Sequence, residues 1–155
     1  SKDGRDIIPH VIAGIMQKIP DITIFLNPCH NSYDRLGGNK APGYISWSSE
    51  NRSQLIRIPA AEGEYRRAEL RSPDSTANPY LAFAALIYAG LHGIEWELPL
   101  PEPADVNLQT ASPEVLEQYQ KLPTTLASAQ CMMTYSQFVQ EHFPKELISA
   151  YCSQV

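Results

Sequence analysis

Residues 80–91 constrain the fold more than any other stretch. The run Tyr80-Leu81-Ala82-Phe83-Ala84-Ala85-Leu86-Ile87-Tyr88-Ala89-Gly90-Leu91 is uncharged and apolar on nearly every side of a helical projection. A solvent-facing helix keeps a polar face, so this one is expected to be buried, beneath a sheet. Asn78 is its expected N-cap, Pro79 its first-turn residue and Gly93 its stop. Replacing Phe83 by alanine is then expected to cost roughly 3 to 5 kcal/mol. The run is too short and too rich in small residues to span a bilayer.

Upstream, residues 6–19 carry Ile8, Ile12, Ile15, Met16 and Ile19 at helical spacing, with Pro9 in the first turn and Pro20 as the expected stop. Residues 21–74 mix short apolar runs with turn residues. Residues 22–26, 44–47, 54–58 and 65–71 read as strands or extended segments, and residues 35–43 as a loop. Their connections are too short for helical crossovers, which predicts antiparallel pairing. Downstream, residues 98–103 (Leu-Pro-Leu-Pro-Glu-Pro) must be extended. Helices are expected from Ser112-Pro113-Glu114 onward and over residues 126–131, 135–142 and 145–152. The predicted class is α+β, an antiparallel sheet with several packed helices.

The net charge of −5 argues against nucleic acid or an anionic membrane as partner. Cys29, Cys131 and Cys152 form no CxxC pair, which favours a reducing cytoplasmic setting over a zinc cage or disulfide framework. The four histidines lack metal-ligand spacing, and His10 reads as a structural residue at a helix start.

The chemistry concentrates in residues 65–71. Strand alternation puts Arg67, Glu69 and Arg71 on one face. Such a face is either a ladder of surface salt bridges, worth little, or a site. In a site the carboxylate would hold a divalent cation and the guanidinium forks would hold phosphate or carboxylate. Arg52 and Arg57 bracket a neighbouring strand, and Arg35 stands at the mouth of the glycine-containing loop.

Four ordered motifs favour the site. Asn31-Ser32-Tyr33-Asp34-Arg35-Leu36, then Ala41-Pro42 with Trp47-Ser48-x-x-Asn51-Arg52-Ser53 and Ile56-Arg57-Ile58-Pro59, resemble segments of the glutamine synthetase family. So do Arg67-x-Glu69-x-Arg71-x-Pro73-Asp74 and the run from Ala77-Asn78-Pro79 to Gly93-Ile94. The chain resembles the C-terminal part of that family's catalytic domain, bacterial type I-like. The resemblance implies an incomplete catalytic-domain fold whose β-grasp domain and remaining metal ligands lie upstream of residue 1. It also implies ATP-dependent ligation of ammonia or an amine to glutamate, with ATP and Mg²⁺ or Mn²⁺, in a cytoplasmic ring-forming homo-oligomer. By the same resemblance Glu69 would ligate metal. Arg35, Arg52 and Arg71 would bind substrate. Arg52, Arg57 and Arg67 would bind nucleotide, with Arg52 at the reacting centre.

Two positions depart from the family pattern. A glutamate usually precedes the Ala-Pro pair, where it closes over the site and is thought to take a proton from ammonium. Lys40 stands there, and a cationic lysine repels ammonium and accepts no proton. That departure supports the alternative of a non-catalytic regulatory or structural paralogue. Gln109 follows Asn107-Leu108, where some bacterial members carry a tyrosine that is adenylylated. Gln109 has no phenol, so that control is expected to be absent.

Overall fold

The computed structural model describes residues 6–38, 41–60 and 67–153. Its centre is helix α1, Ile8–Leu26, which starts with Pro9 in its first turn as expected but runs straight through Pro20. An interior proline costs about 3 kcal/mol. Ile19, Ile22, Ile24, Phe25 and Leu26 are all fully buried, each worth roughly 1.5 to 3 kcal/mol. Burial therefore outweighs the proline. The β-branched run at residues 22–26 is helix and not strand for the same reason. Phe25 closes this end of the core against the rings of Phe143 and Tyr151, 4.8 and 5.1 Å away between centroids.

Helix α2, His30–Arg35, follows after Cys29. Three strands of two residues each come next: β1, Trp47–Ser48; β2, Ile56–Arg57; and β3, Glu69–Leu70. The sheet order is β1-β2-β3. β2 and β3 are antiparallel, with Ile56 opposite Leu70 and Arg57 opposite Glu69. β1 and β2 are parallel, so the sheet is mixed and not purely antiparallel as expected. A crossover helix is needed only where the chain must retrace a long strand. Strands this short span about 7 Å, and the loop 49–55 covers that return by turning on itself. Ser48 Oγ accepts from the backbone N–H of Glu50 and Asn51, and Asn51 Oδ1 accepts from that of Ser53. Residues 44–46 do not join this sheet; Tyr44 instead makes an isolated antiparallel bridge with Lys121. Part of the expected strand 65–71, residues 65 and 66, lies outside the described residues.

Helix α3, Pro79–Glu95, is capped by Asn78, whose side chain accepts from the N–H groups of Tyr80 and Leu81. It lies against α1. Gly93 does not stop it but allows the contact: a Cβ there would meet the His10 carbonyl and would sit 2.8 Å from Gly14 Cα. The expectation of a helix buried beneath the sheet fails on its other side. Tyr80 is 85% exposed, Phe83 66%, Ile87 60% and Leu91 53%. Among the described residues only the small-residue stripe Ala85, Ala89, Gly90 and Gly93 is fully covered. Helices α4, Pro113–Leu116; α5, Leu126–Tyr135; α6, Gln137–His142; and α7, Lys145–Cys152, complete the described chain. α5 is longer than expected, while α6 and α7 lie where the sequence places helices. No helix among the described residues is long and apolar enough to cross a membrane.

Candidate functional site

The Arg57–Glu69 register pairs two oppositely charged side chains on one face of the sheet. Arg57 Nη1 lies 3.4 Å from Glu69 Oε2, and Arg71 Nε lies 3.6 Å from Glu69 Oε1. One carboxylate is thus held between two guanidinium groups. Glu69's side chain is 44% exposed and open to solvent. Ion pairs this exposed are worth at most about 1 kcal/mol, so an incoming oxyanion or cation displaces them at little cost. The buried Nε of Arg57 has no hydrogen-bond partner among the described residues.

The frame behind this face is polar and tightly satisfied. Gln54, fully buried just before β2, donates from Nε2 to the carbonyls of Ala104 and Val106 at 2.6 and 2.7 Å. Ser53 Oγ meets Gln54 Oε1 and accepts from Leu108 N–H. Trp47 Nε1 donates to the Pro101 carbonyl, and Ala104 N–H to that of Trp47. The proline-rich segment, extended as expected, is therefore a strap along β1.

A second clamp fixes the chain after Arg71. Asn27, fully buried at the end of α1, donates to the Ser72 carbonyl and to Asp74 Oδ2 at 2.9 and 3.2 Å. Burial pulls the Asp74 carboxyl upward, but hydrogen bonds from Ser32, Thr76 and Asn27 outweigh it and hold it below the usual carboxylate value. Burial, helped by the nearby Asp74 and Cys29, raises the Tyr33 phenol far above its ordinary value, so it stays neutral.

The expected site residues fare unequally. Arg57, Glu69 and Arg71 come together. Arg67 is exposed and borders an apolar recess that Ala68 and Leu70 also line. Arg52 is exposed on the turn before β2. Arg35 is exposed at the end of α2, and its Nη2 donates to the Ser72 and Pro73 carbonyls, so it helps to hold the turn after Arg71. Lys40 lies outside the described residues. Gln109 donates from Nε2 to the Gly38 carbonyl at 2.8 Å, tying the strap region to the loop that leads to Lys40. His10 is structural as expected, its Nδ1 lying 2.8 Å from the Leu98 carbonyl.

Sequence reasoning missed Asn27, Gln54 and Asp74 as positioning residues. Asp74 had a legible signal, since Pro-Asp-Ser-Thr is strong turn chemistry. Asn27 and Gln54 had none, because their partners lie 45 or more residues away.

Comparison with known proteins agrees with the motifs. Residues 2–154 match the family described as glutamine synthetase, catalytic domain. The chain is 44% identical over 145 residues to a glutamine synthetase of Methanosarcina mazei, covering 92% of this chain and 32% of that protein. It is 40% identical over 143 residues to one from Methanocaldococcus jannaschii, covering 90% and 32%. A Staphylococcus epidermidis glutamine synthetase is 46% identical over 120 residues, covering 76% and 27%. The chain spans about a third of the length of these relatives. With nearly its whole length matched, the chain belongs to the glutamine synthetase catalytic-domain family.

Proposed function

We propose that this chain supplies the arginine-rich part of an ATP-dependent ligase site within a larger enzyme. That enzyme joins ammonia or an amine to the side-chain carboxylate of glutamate through a γ-glutamyl phosphate. The observation that carries the reading is the Arg57–Glu69–Arg71 constellation. Two forks flanking one displaceable carboxylate give net positive charge on an open face, which suits a transferring phosphoryl group.

In this reading Arg57 and Arg52 meet the phosphates, with Arg52 nearest the reacting centre. Arg71 and Arg35 orient glutamate, and Arg67 steadies the nucleotide. Arg35 would do so while one nitrogen stays on the turn carbonyls, since a guanidinium has five N–H donors. The family implies Mg²⁺ or Mn²⁺. Among the described residues no three His, Cys, Asp or Glu side chains converge. These ions take about six oxygen ligands, so the described residues do not hold one by themselves. Glu69 is one ligand beside others supplied from elsewhere. The enzyme is proposed to be a cytoplasmic homo-oligomer.

The chain alone should give no turnover with glutamate, ATP, Mg²⁺ and ammonium; robust turnover would refute the division of the site. In the assembled enzyme, Arg57→Ala should lower kcat/KM by about 10² to 10³; an unchanged value would remove Arg57 from the site.

A second reading, a non-catalytic subunit, is favoured by Lys40 alone. Loss of a general base is worth about two to four orders of magnitude. If Lys40 limits catalysis, Lys40→Glu in the assembled enzyme should raise ammonia-dependent kcat. Equal values would take Lys40 out of the mechanism.

A further inference from the structure

Asn27 is a polar side chain at a position where the core itself asks for an apolar one. It caps the C-terminus of α1 directly after Ile24, Phe25 and Leu26, and like them it is fully buried. Burying an amide is costly unless its hydrogen bonds are made. Nδ2 makes both of its bonds to one turn, to the Ser72 carbonyl at 2.9 Å and to Asp74 Oδ2 at 3.2 Å. The Asp74 N–H adds a bond to the Leu26 carbonyl at 3.2 Å. An apolar side chain would fill the same space but could not hold this turn.

The turn matters because two arginines depend on it. Arg71 directly precedes Ser72, and its own N–H is tied to the Leu55 carbonyl at 2.9 Å. Arg35, at the end of α2, donates through Nη2 to the Ser72 and Pro73 carbonyls. A carbonyl oxygen has two lone pairs, so that of Ser72 takes the Asn27 amide and the Arg35 guanidinium together. One oxygen thereby sets both arginines relative to α1. Arg52 and Arg57 take their positions elsewhere, from β2 and the turn before it, which Gln54 ties to the Ala104 and Val106 carbonyls.

We infer that Asn27 is the positioning residue for the amino-acid half of the site. It sets Arg35 and Arg71 for glutamate and leaves the phosphate contacts of Arg52 and Arg57 unaltered. The inference rests on the ligase reading above and adds that glutamate and nucleotide are held by separately anchored parts of this chain.

The test is steady-state kinetics of Asn27→Ala in the assembled enzyme, with glutamate and ATP varied in turn. KM for glutamate should rise on the order of tenfold or more, since a misplacement of about 1 Å can cost about 10²-fold. KM for ATP should not change. A role in stability alone would move neither KM and would lower kcat through the amount of folded enzyme. If Asn27→Ala does not fold, Asp74→Ala releases the same amide from its second acceptor and should give the same split at smaller size. Equal rises in the two KM values, a lower kcat with both KM values unchanged, or no change at all overturns the inference. Arginine side-chain NMR of this chain separates that failure from failure of the ligase reading. Asn27→Ala should shift the Arg35 signal and quicken its hydrogen exchange while the Arg57 signal stays in place. A wild-type enzyme without glutamate-dependent turnover would refute the ligase reading. The Arg35 signal would then decide whether Asn27 positions it, and an unmoved signal would overturn that as well.

Discussion

The helical layer and the small sheet hold together by different physics. Where α1 meets α3, glycine and alanine let two backbones approach, and the enclosed side chains are apolar. Among the described residues the sheet has only two-residue strands. Its ladder is too short to hold it, so buried amides and hydroxyls fix its position: Gln54 and Ser53 on one side, Asn27 and Asp74 on the other. The first region carries stability without chemistry. The second sets charged groups at a solvent-facing surface with little regular structure, where polar ties supply the precision that packing supplies elsewhere.

The steepest test of that contrast is Gly93→Val. Its side chain would have to displace the His10 carbonyl and the backbone of Gly14. A loss of about 3 kcal/mol or more is expected in urea unfolding. Gly90→Ala should be mild, because the atoms nearest its Cβ belong to the Val11 side chain and not to backbone, with Cγ1 at 3.1 Å, and alanine regains about 1 kcal/mol of helix propensity. Equal losses at the two positions would mean that close backbone approach does not organise the helical layer.

Gln54→Ala comes next. It strips hydrogen bonds from the Ala104 and Val106 carbonyls, a loss of roughly 2 kcal/mol. Hydrogen exchange should quicken at β1, β2 and residues 101–108 while α1 and α3 keep their protection. Uniform loosening would erase the distinction between the regions.

Asp74 gives a smaller, pH-dependent effect. Its native pKa lies below the ordinary 3.8, so the unfolded chain binds the proton more readily. The contribution is complete above that ordinary value and is lost as pH falls through the native one. Asp74→Asn should flatten this acid limb of the stability curve, and an identical limb would show that the clamp does not depend on the charge.

Phe83→Ala should be the smallest, within about 0.5 kcal/mol in this chain. The sequence-based value of roughly 3 to 5 kcal/mol presumed burial; a loss that large would mean the outer face of α3 is already covered.

Helix positions were largely legible because capping and periodicity are local. Asn78, Pro79 and the run after them specify α3 without reference to the rest of the fold. Which side of α3 is covered was not legible, since that depends on what else is present to cover it. Pro20 misled because the burial that overrides it comes from α3 and α5, distant in sequence. The parallel β1–β2 pair misled because the crossover rule presumes strands of ordinary length. In the site, period-two alternation anticipated Glu69 beside Arg71, but the cross-strand neighbour Arg57 needed register. Arg35's bond to the Ser72 and Pro73 carbonyls needed the tertiary turn.

The central claim is that the Arg57–Glu69–Arg71 face receives phosphate. The most direct measurement is an ADP titration of this chain followed through its arginine side-chain NMR signals. The Arg57 and Arg52 signals should shift and saturate, and the Arg52 response should weaken in Arg57→Ala while the remaining spectrum stays folded. Arginine signals that ignore ADP, or that respond equally in Arg57→Ala, would contradict it.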